Sequence, residues 1–219
     1  MSRHAEPPLG GAGGAEVPSL GMYTAALVLA AGSSSRLGSS KQLLDWGGRP
    51  LLEYVVAGVS EWQVDEVWVV LGHEADKVMD ACDFGAANVV INEDYADGLA
   101  SSLSVGLDAL MQDGKAERAV IALGDQPTID PLVVAELLER HAKSRRMAAV
   151  PRYRYTRSNP VVVDRTLFTR LMSLEGDLGA RQLLQAHPDW VEEVLFERMP
   201  PRDIDTRTDV EEMRPRSPG

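Results

Sequence analysis

Short apolar runs alternate with longer stretches of helical period along most of the chain. Ala25–Ala30 (AALVLA) is uninterruptedly apolar and runs into Gly and Ser, the pattern of a strand buried on both faces. Pro50 can open a helix at its first turn, and Leu51, Leu52, Val55, Val56 and Val59 give that helix one apolar face. Glu66–Leu71 (EVWVVL) predicts a second strand, Glu74–Ala81 a helix, and Val89–Ile91 a third strand. Leu99–Met111 carries Leu103, Leu107 and Leu110 on one helical stripe, and Ala119–Leu123 (AVIAL) predicts a fourth strand. Asp130-Pro131 supplies an N-cap followed by Pro, opening a helix to about His141. Strands at Ala148–Val150 and Val161–Val163, helices near Leu167–Leu171 and Ala180–Ala186, and a strand at Val191–Phe196 complete the series.

Repeated strand–helix units predict an α/β fold: one domain with a mostly parallel, Rossmann-like twisted sheet and helices on both faces. Residues 1–21 (with GGAGGAEVPSLG) lack any apolar period and are expected to form a disordered extension; residues 22–213 form the domain and 214–219 a short tail. The Gly10, Gly11, Gly13, Gly14 cluster resembles a dinucleotide fingerprint only superficially, because no strand precedes it and no helix follows.

Composition narrows the function. The net charge of −11 argues against a general nucleic-acid binder, which needs a basic surface, yet leaves room for one nucleotide in a locally positive site. Cys82 is the single cysteine, so neither an intrachain disulfide nor a cysteine metal cluster can form. No apolar stretch approaches the ~20 residues of a membrane helix. The N-terminus also lacks the apolar centre of a signal peptide, so a cytoplasmic protein is expected. His73, His141 and His187 show no ligand spacing and read as structural or surface residues; the four tryptophans read as packing residues.

In open α/β sheets ligands sit beyond the carboxyl ends of the strands, which directs attention to the loop over residues 29–50. Ala30, Ala31 and Gly32 are small enough for a ligand to approach the backbone, and Ser33, Ser34 and Ser35 add hydroxyls beside exposed N–H groups. Arg36 and Lys41 add positive charge suited to phosphate. The loop is not a P-loop, since GxxxxGK[ST] is absent. Asp125, in Gly124-Asp125-Gln126-Pro127, follows a strand directly and is either a turn former or a carboxylate for Mg²⁺. Gly72 and Asn92 fall at the ends of their strands. Ser101 and Ser102 read either as ligand contacts or as helix caps, and Asp177 as an N-cap of the helix after it. These residues alone support a magnesium–nucleotide site on an α/β sheet.

LAAGSSSRLGSSKQLLDWGGRPLLE resembles the signature of the MobA-like nucleotidyltransferase superfamily, with Leu37 where Met is usual. Ala31 in the third place of LAAG is similar to the molybdenum cofactor cytidylyltransferase branch. The resemblance implies the nucleotide-diphospho-sugar transferase type of fold. It implies that Gly32, Ser33 and Ser34 contact the nucleotide, with the Ser101-Ser102 pair of a GxxSSL-like motif near the base and ribose; Leu29, Ala30, Ala31 and Gly124 beside them, and Gly72 and Asn92 by their place at the ligand edge, complete the expected nucleotide site. It implies that Arg36 and Lys41 meet the phosphates and that Asp125 ligates the metal. Asp203-Ile204-Asp205-Thr206 resembles a DIDTPED motif in which Asp205 completes the metal site, although Arg207 stands where Pro is usual; Asp203 reads as a helper or surface residue.

Glu175–Arg181 resembles a GDxGAR motif, which with Asn159 implies Asp177, Gly179 and Arg181 on the acceptor side. Ser158 replaces the usual Gly before Asn159, and Arg152, Arg154, Arg157, Tyr153 and Tyr155 suit either an anionic pterin or an ordinary basic hairpin. The expected reaction moves CMP from CTP to molybdopterin with release of pyrophosphate, using Mg²⁺ or else Mn²⁺, and delivers the product to a molybdenum hydroxylase or its chaperone. The same chemistry with GTP or another phosphorylated acceptor, and a non-catalytic cofactor carrier, remain alternatives. A nicotinamide-dependent oxidoreductase is disfavoured because no GxGxxG joins the first strand to a helix.

Overall fold

The computed structural model describes residues 21–33, 40–154 and 156–214. The expectations for residues 1–20 and 215–219, and for Ser34, Ser35, Arg36, Leu37 and Tyr155, fall outside the described residues. The eight strands among the described residues form one sheet. β1 (Thr24–Leu29), β2 (Glu66–Leu71), β3 (Asn88–Ile91), β4 (Arg118–Leu123), β5 (Ala148–Tyr153), β6 (Thr156–Arg157) and β7 (Val161–Asp164) run in the order β3-β2-β1-β4-β7-β5-β6. β8 (Val191–Phe196) lies along β5. The helices are α1 (Leu51–Ser60), α2 (Ala75–Ala81), α3 (Leu99–Asp113), α4 (Pro131–Ser144), α5 (Phe168–Met172), α6 (Ala180–Ala186) and α7 (Arg207–Met213).

The apolar run of β1 is buried along its whole length because it sends alternate residues to two cores. Ala26 and Val28 pack with Leu52, Val55 and Val59 of α1 and with Val134 and Leu138 of α4. Ala25 and Leu27 pack on the other face with Leu103, Leu107 and Leu110 of α3 and with Phe168 of α5. Helices therefore cover both faces of the sheet. Among the described residues no helix is long and apolar enough to cross a membrane.

β1 pairs in parallel with β2 and β4, and β2 with β3, but β7 is antiparallel to both β4 and β5. A parallel return needs a crossover of a dozen or more residues. Only residues 154–160 separate β5 from β7, enough for a hairpin-like reversal and no more. Asp130 caps α4 as expected, accepting from Leu132 N–H at 2.8 Å, and the helix runs past His141 to Ser144.

Two capping expectations are corrected. The N-cap of α6 is Gly179, not Asp177; Gln182 Oε1 accepts from Gly179 N–H at 3.0 Å. The N-cap of α3 is Gly98, so neither Ser101 nor Ser102 caps it. Gly98 has φ +100°, and a Cβ there would lie 2.5 Å from Gly176 O, so only glycine lets the 175–178 turn close over the start of α3. Ala100 N–H, one of the donors a helix start leaves free, donates to that same carbonyl at 2.9 Å.

Candidate active site

The parallel strands end at one rim. In register, Leu29 lies opposite Val70 on one side and Leu123 on the other. The segments that follow, Ala30–Ser33, Gly72-His73 and Gly124-Asp125, therefore emerge side by side. Ala30 N–H donates to Val70 O and His73 N–H to Ala31 O, which ties the first loop to the end of β2. Gly124 comes so close that a Cβ on it would stand 2.7 Å from Ala30 Cβ. Leu29, Ala30, Gly32, Ser33, Lys41, Gln42, Gly124 and Asp125 line a cavity of about 110 Å³ at this rim.

Three residues from distant parts of the chain meet there. Lys41 Nζ donates to Asp125 Oδ2 at 2.9 Å and to Asp205 Oδ1 at 2.7 Å. Asp205 arrives by way of Ile204, which is fully buried in the α1–α4 core and whose N–H donates to Asp125 O at 3.0 Å. Ile204 is buried while the flanking Asp203 is exposed and Asp205 half-buried, so the two acids face away from the core that holds Ile204. Asp203 Oδ1 accepts from Gln126 Nε2 at 2.6 Å, so it braces the Asp125 loop from the other side.

Burial pushes the Asp125 carboxyl above its ordinary range, against the pull of Lys41; Asp203 and Asp205 push it the same way. For Lys41, burial favours the neutral amine, but the charges and hydrogen bonds of Asp125 and Asp205 win and its pKa is raised. Lys41 is thus an ammonium ion at neutral pH. Asp125 Oδ1 is buried and has no hydrogen-bond partner among the described residues. A buried carboxylate oxygen without a donor is costly unless a cation or proton reaches it.

A divalent ion fits this donor set in one particular way. No cluster of three or more His, Cys, Asp or Glu side chains able to hold a metal exists among the described residues. Mg²⁺, however, is commonly held by one or two carboxylates, with phosphate oxygens and water supplying the rest. Asp125 and Asp205 meet that requirement and a closed protein cage does not arise.

Two residues absent from the sequence reading hold the site in shape. Gln42 is only 6% exposed, and its Nε2 donates to Ala30 O at 2.7 Å and Gly32 O at 3.0 Å, while its Oε1 accepts from Ser40 Oγ at 3.0 Å. One amide thus fastens the first turn of the loop to the segment bearing Lys41. Asp209 works on the opposite wall. Its Oδ2 accepts from Asp205 N–H at 3.1 Å and Thr206 N–H at 2.8 Å, and Thr206 Oγ1 accepts from Asp209 N–H at 3.2 Å. Thr206 and Asp209 form a reciprocal cap on α7, and the Thr206 hydroxyl, first among several donors, holds the Asp209 carboxyl below the usual range. The Thr-x-x-Asp spacing was the visible sign of this cap.

Gln42→Leu is expected to strand the Ala30 carbonyl in the interior and cost ~1–3 kcal/mol. Denaturant unfolding reads the stability, and steady-state kinetics should show a KM for nucleotide that rises more than kcat falls. Unchanged stability and KM together would remove Gln42 from this role.

The remaining expected residues fall into distinct settings. Gly72 follows β2 directly, where a Cβ would come within 2.6 Å of Tyr95 Cβ and 2.8 Å of Ala31 Cβ, so close packing alone calls for glycine. Asn92 is 1% exposed and its polar groups are all engaged: Nδ2 donates to Ser101 Oγ at 2.8 Å and Ser102 Oγ at 3.1 Å, and Oδ1 accepts from Asp94 N–H at 3.0 Å. This knot fixes the turn between β3 and α3. Asn159 lies at the rim just before β7, and the Ser158 beside it is buried. Asp177 and Arg181 are exposed and Gly179 is buried against Leu99. Arg152 and Arg157 both pair with Glu193 of β8, and Tyr153 packs inward against Phe196 with its phenol pushed up to about 12 by burial. Those three side chains are engaged within the hairpin and with β8.

The chain was compared with known proteins. A nicotine blue oxidoreductase from Paenarthrobacter nicotinovorans is 32% identical over 197 residues, covering 85% of this chain and 93% of that relative. The crystal structure of the Mycobacterium sp. strain JC1 homolog of Mycobacterium tuberculosis Rv0371c is 33% identical, with a TM-score of 0.77, 87% of this chain and 94% of that chain covered. A structure of Mycobacterium tuberculosis Rv0371c in complex with manganese is 28% identical, with a TM-score of 0.75 over 87% of this chain and 97% of that one. The MobA-like NTP transferase domain matches residues 26–191, from the first strand to the start of the last, and this chain belongs to that family.

Proposed function

We propose that the protein transfers a cytidylyl group from CTP to a terminal phosphate of molybdopterin bearing molybdenum, releasing pyrophosphate, and that it works in the cytoplasm. The observation that carries this reading is the meeting of Lys41, Asp125 and Asp205 beside the small-residue loop at the rim of the sheet. Membership of the MobA-like family supports nucleotidyl transfer. The choice of CTP rests on the LAAG form of the loop, and the choice of acceptor on Asn159, Asp177, Gly179 and Arg181.

The backbone of residues 29–33, with Ser34 beside it, holds the nucleotide, and Gln42 keeps that backbone in place. Lys41, with Arg36, balances the charge that grows on the departing pyrophosphate. The attacking group is a phosphate oxygen that is already anionic, so the chain needs no strong general base, and its task is positioning and charge neutralisation. Asp125 and Asp205 would hold Mg²⁺ or Mn²⁺, which supplies Lewis-acid polarisation of phosphate oxygens when bound. The product passes to a molybdenum hydroxylase or its chaperone.

A second reading has one observation behind it: a relative matched over most of its length is named an oxidoreductase. One assay separates the two. Pyrophosphate release is followed with each of CTP, GTP, ATP and UTP, with and without molybdopterin, beside a parallel assay for nicotinamide oxidation. Molybdopterin-dependent pyrophosphate release, fastest with CTP, is expected. Preference for GTP would correct the nucleotide; nicotinamide oxidation without pyrophosphate would replace the reading.

A further inference from the structure

We propose that Lys41 stands in for a cation on the Asp125–Asp205 pair, so that a divalent metal and the nucleotide triphosphate load together rather than one by one. The proposal rests on the reading of these two acids as metal ligands. It goes beyond that reading by giving the lysine a second task, which is to hold the pair closed until an anionic ligand draws it away.

The geometry leads there directly. The ammonium bridges one oxygen from each carboxylate at 2.9 Å and 2.7 Å, and these two carboxylates are the ones that would hold a metal ion. The lysine and Asp125 side chains are 17% and 26% exposed while Asp205 is 48% exposed, so the bridge is shielded on the Asp125 side and open to solvent on the Asp205 side. The site remains short of positive charge even so, because Asp125 Oδ1 is buried without a partner among the described residues and Asp203 lies within electrostatic reach. A single ammonium does not neutralise these acids, but it occupies one oxygen of each, and a divalent ion held by the pair would face its positive charge.

Mg²⁺ and Mn²⁺ bind carboxylate oxygens at close range, and an ammonium on the same oxygens would be repelled. Lys41 would then give up these two acceptors. It lines the rim cavity with Ala30, Gly32 and Ser33, so phosphate oxygens entering that cavity arrive within its reach. A triphosphate thus frees the carboxylates for the metal, and the metal frees the lysine for the triphosphate. Coupling of this kind is reciprocal by necessity. It also explains why Asp205 is bound so firmly through Ile204 and Asp209: the carboxylate pair has to keep its spacing while its cation is exchanged.

The test reads metal occupancy, not turnover. Free Mn²⁺ is titrated by electron paramagnetic resonance against the full chain without nucleotide. Lys41→Met should bind Mn²⁺ at least about tenfold more tightly than wild type, within the usual range of site–site coupling. Lys41→Gln, which keeps a polar side chain without charge, should show the same gain, and a circular dichroism melt confirms that each variant is folded. The double variant Lys41→Met, Asp125→Asn should lose the gain, which ties it to this carboxylate pair. Equal or weaker Mn²⁺ binding in both folded lysine variants overturns the proposal, as does a gain that persists in the double variant. Because no nucleotide enters the measurement, absence of CTP turnover in wild type counts against the transfer reading and leaves this inference to stand or fall on its own result.

Discussion

Asp125→Asn should lower nucleotidyl transfer by at least about 10²–10³-fold while the protein melts no lower than wild type at neutral pH. The two halves of this expectation have separate causes. The amide keeps the size of the side chain and an oxygen for Lys41, so the local packing survives, but it cannot offer a metal ion the charge of a carboxylate. Stability follows from the raised pKa. A carboxyl that burial holds above its ordinary value of 3.8 resists ionisation in the fold. Its contribution is neutral while both states are protonated, and it becomes unfavourable as pH rises from that value through the raised one. The amide never ionises and escapes this loss. Melting curves of the two proteins should therefore draw together at acid pH, with the variant equal or higher above the window. A variant that loses activity and also melts well below wild type at pH 7 would mean that Asp125 is a structural residue and not a strained functional one.

How far the molecule could be read from its residues differs from element to element. The β1 strand declared itself because a residue buried on either face is usually apolar, and the five from Ala25 to Leu29 all are. The direction of β7 did not, because Val161, Val162 and Val163 look the same whichever way the strand runs; the short connection from β5 held that information instead. Lys41, Asp125 and Asp205 were legible through motifs, yet nothing local to any of them predicts that one ammonium would bridge both acids. Gln42 escaped notice because a polar residue in a loop is usually solvated, and its burial depends on two carbonyls ten and twelve residues away. The arginines of the β5–β6 hairpin were ambiguous for a similar reason. Their partner, Glu193, is some forty residues further on in β8, and its position beside them is set by sheet order, not by sequence neighbours.

Ile204→Ala tests the least obvious part of the site, because the altered side chain touches no ligand. Ile204 is fully buried, and deleting most of its side chain should cost ~2–5 kcal/mol. For a chain of this size that lowers the melting temperature by roughly 5–15 °C. The functional effect should be larger than the stability effect suggests. Ile204 N–H is bonded to Asp125 O, and the buried side chain is what keeps Asp203 and Asp205 facing out toward the rim. With that anchor loosened, Asp205 keeps its bonds to Lys41 and to the α7 cap, but its backbone is no longer tied to Asp125 and its distance from Asp125 is less closely set. Catalysis by positioned charges is sensitive to displacements on the order of 1 Å, which can cost about 10²-fold. Turnover is best measured well below the melting point of the variant, where it is still folded. Ile204→Val serves as the control: it retains the branched carbon, should cost only ~0.5–1.5 kcal/mol, and should keep near wild-type turnover. If Ile204→Ala, fully folded, also transfers at the wild-type rate, the placement of Asp205 does not depend on this anchor, and Lys41 with the α7 cap of Thr206 and Asp209 is enough to carry it.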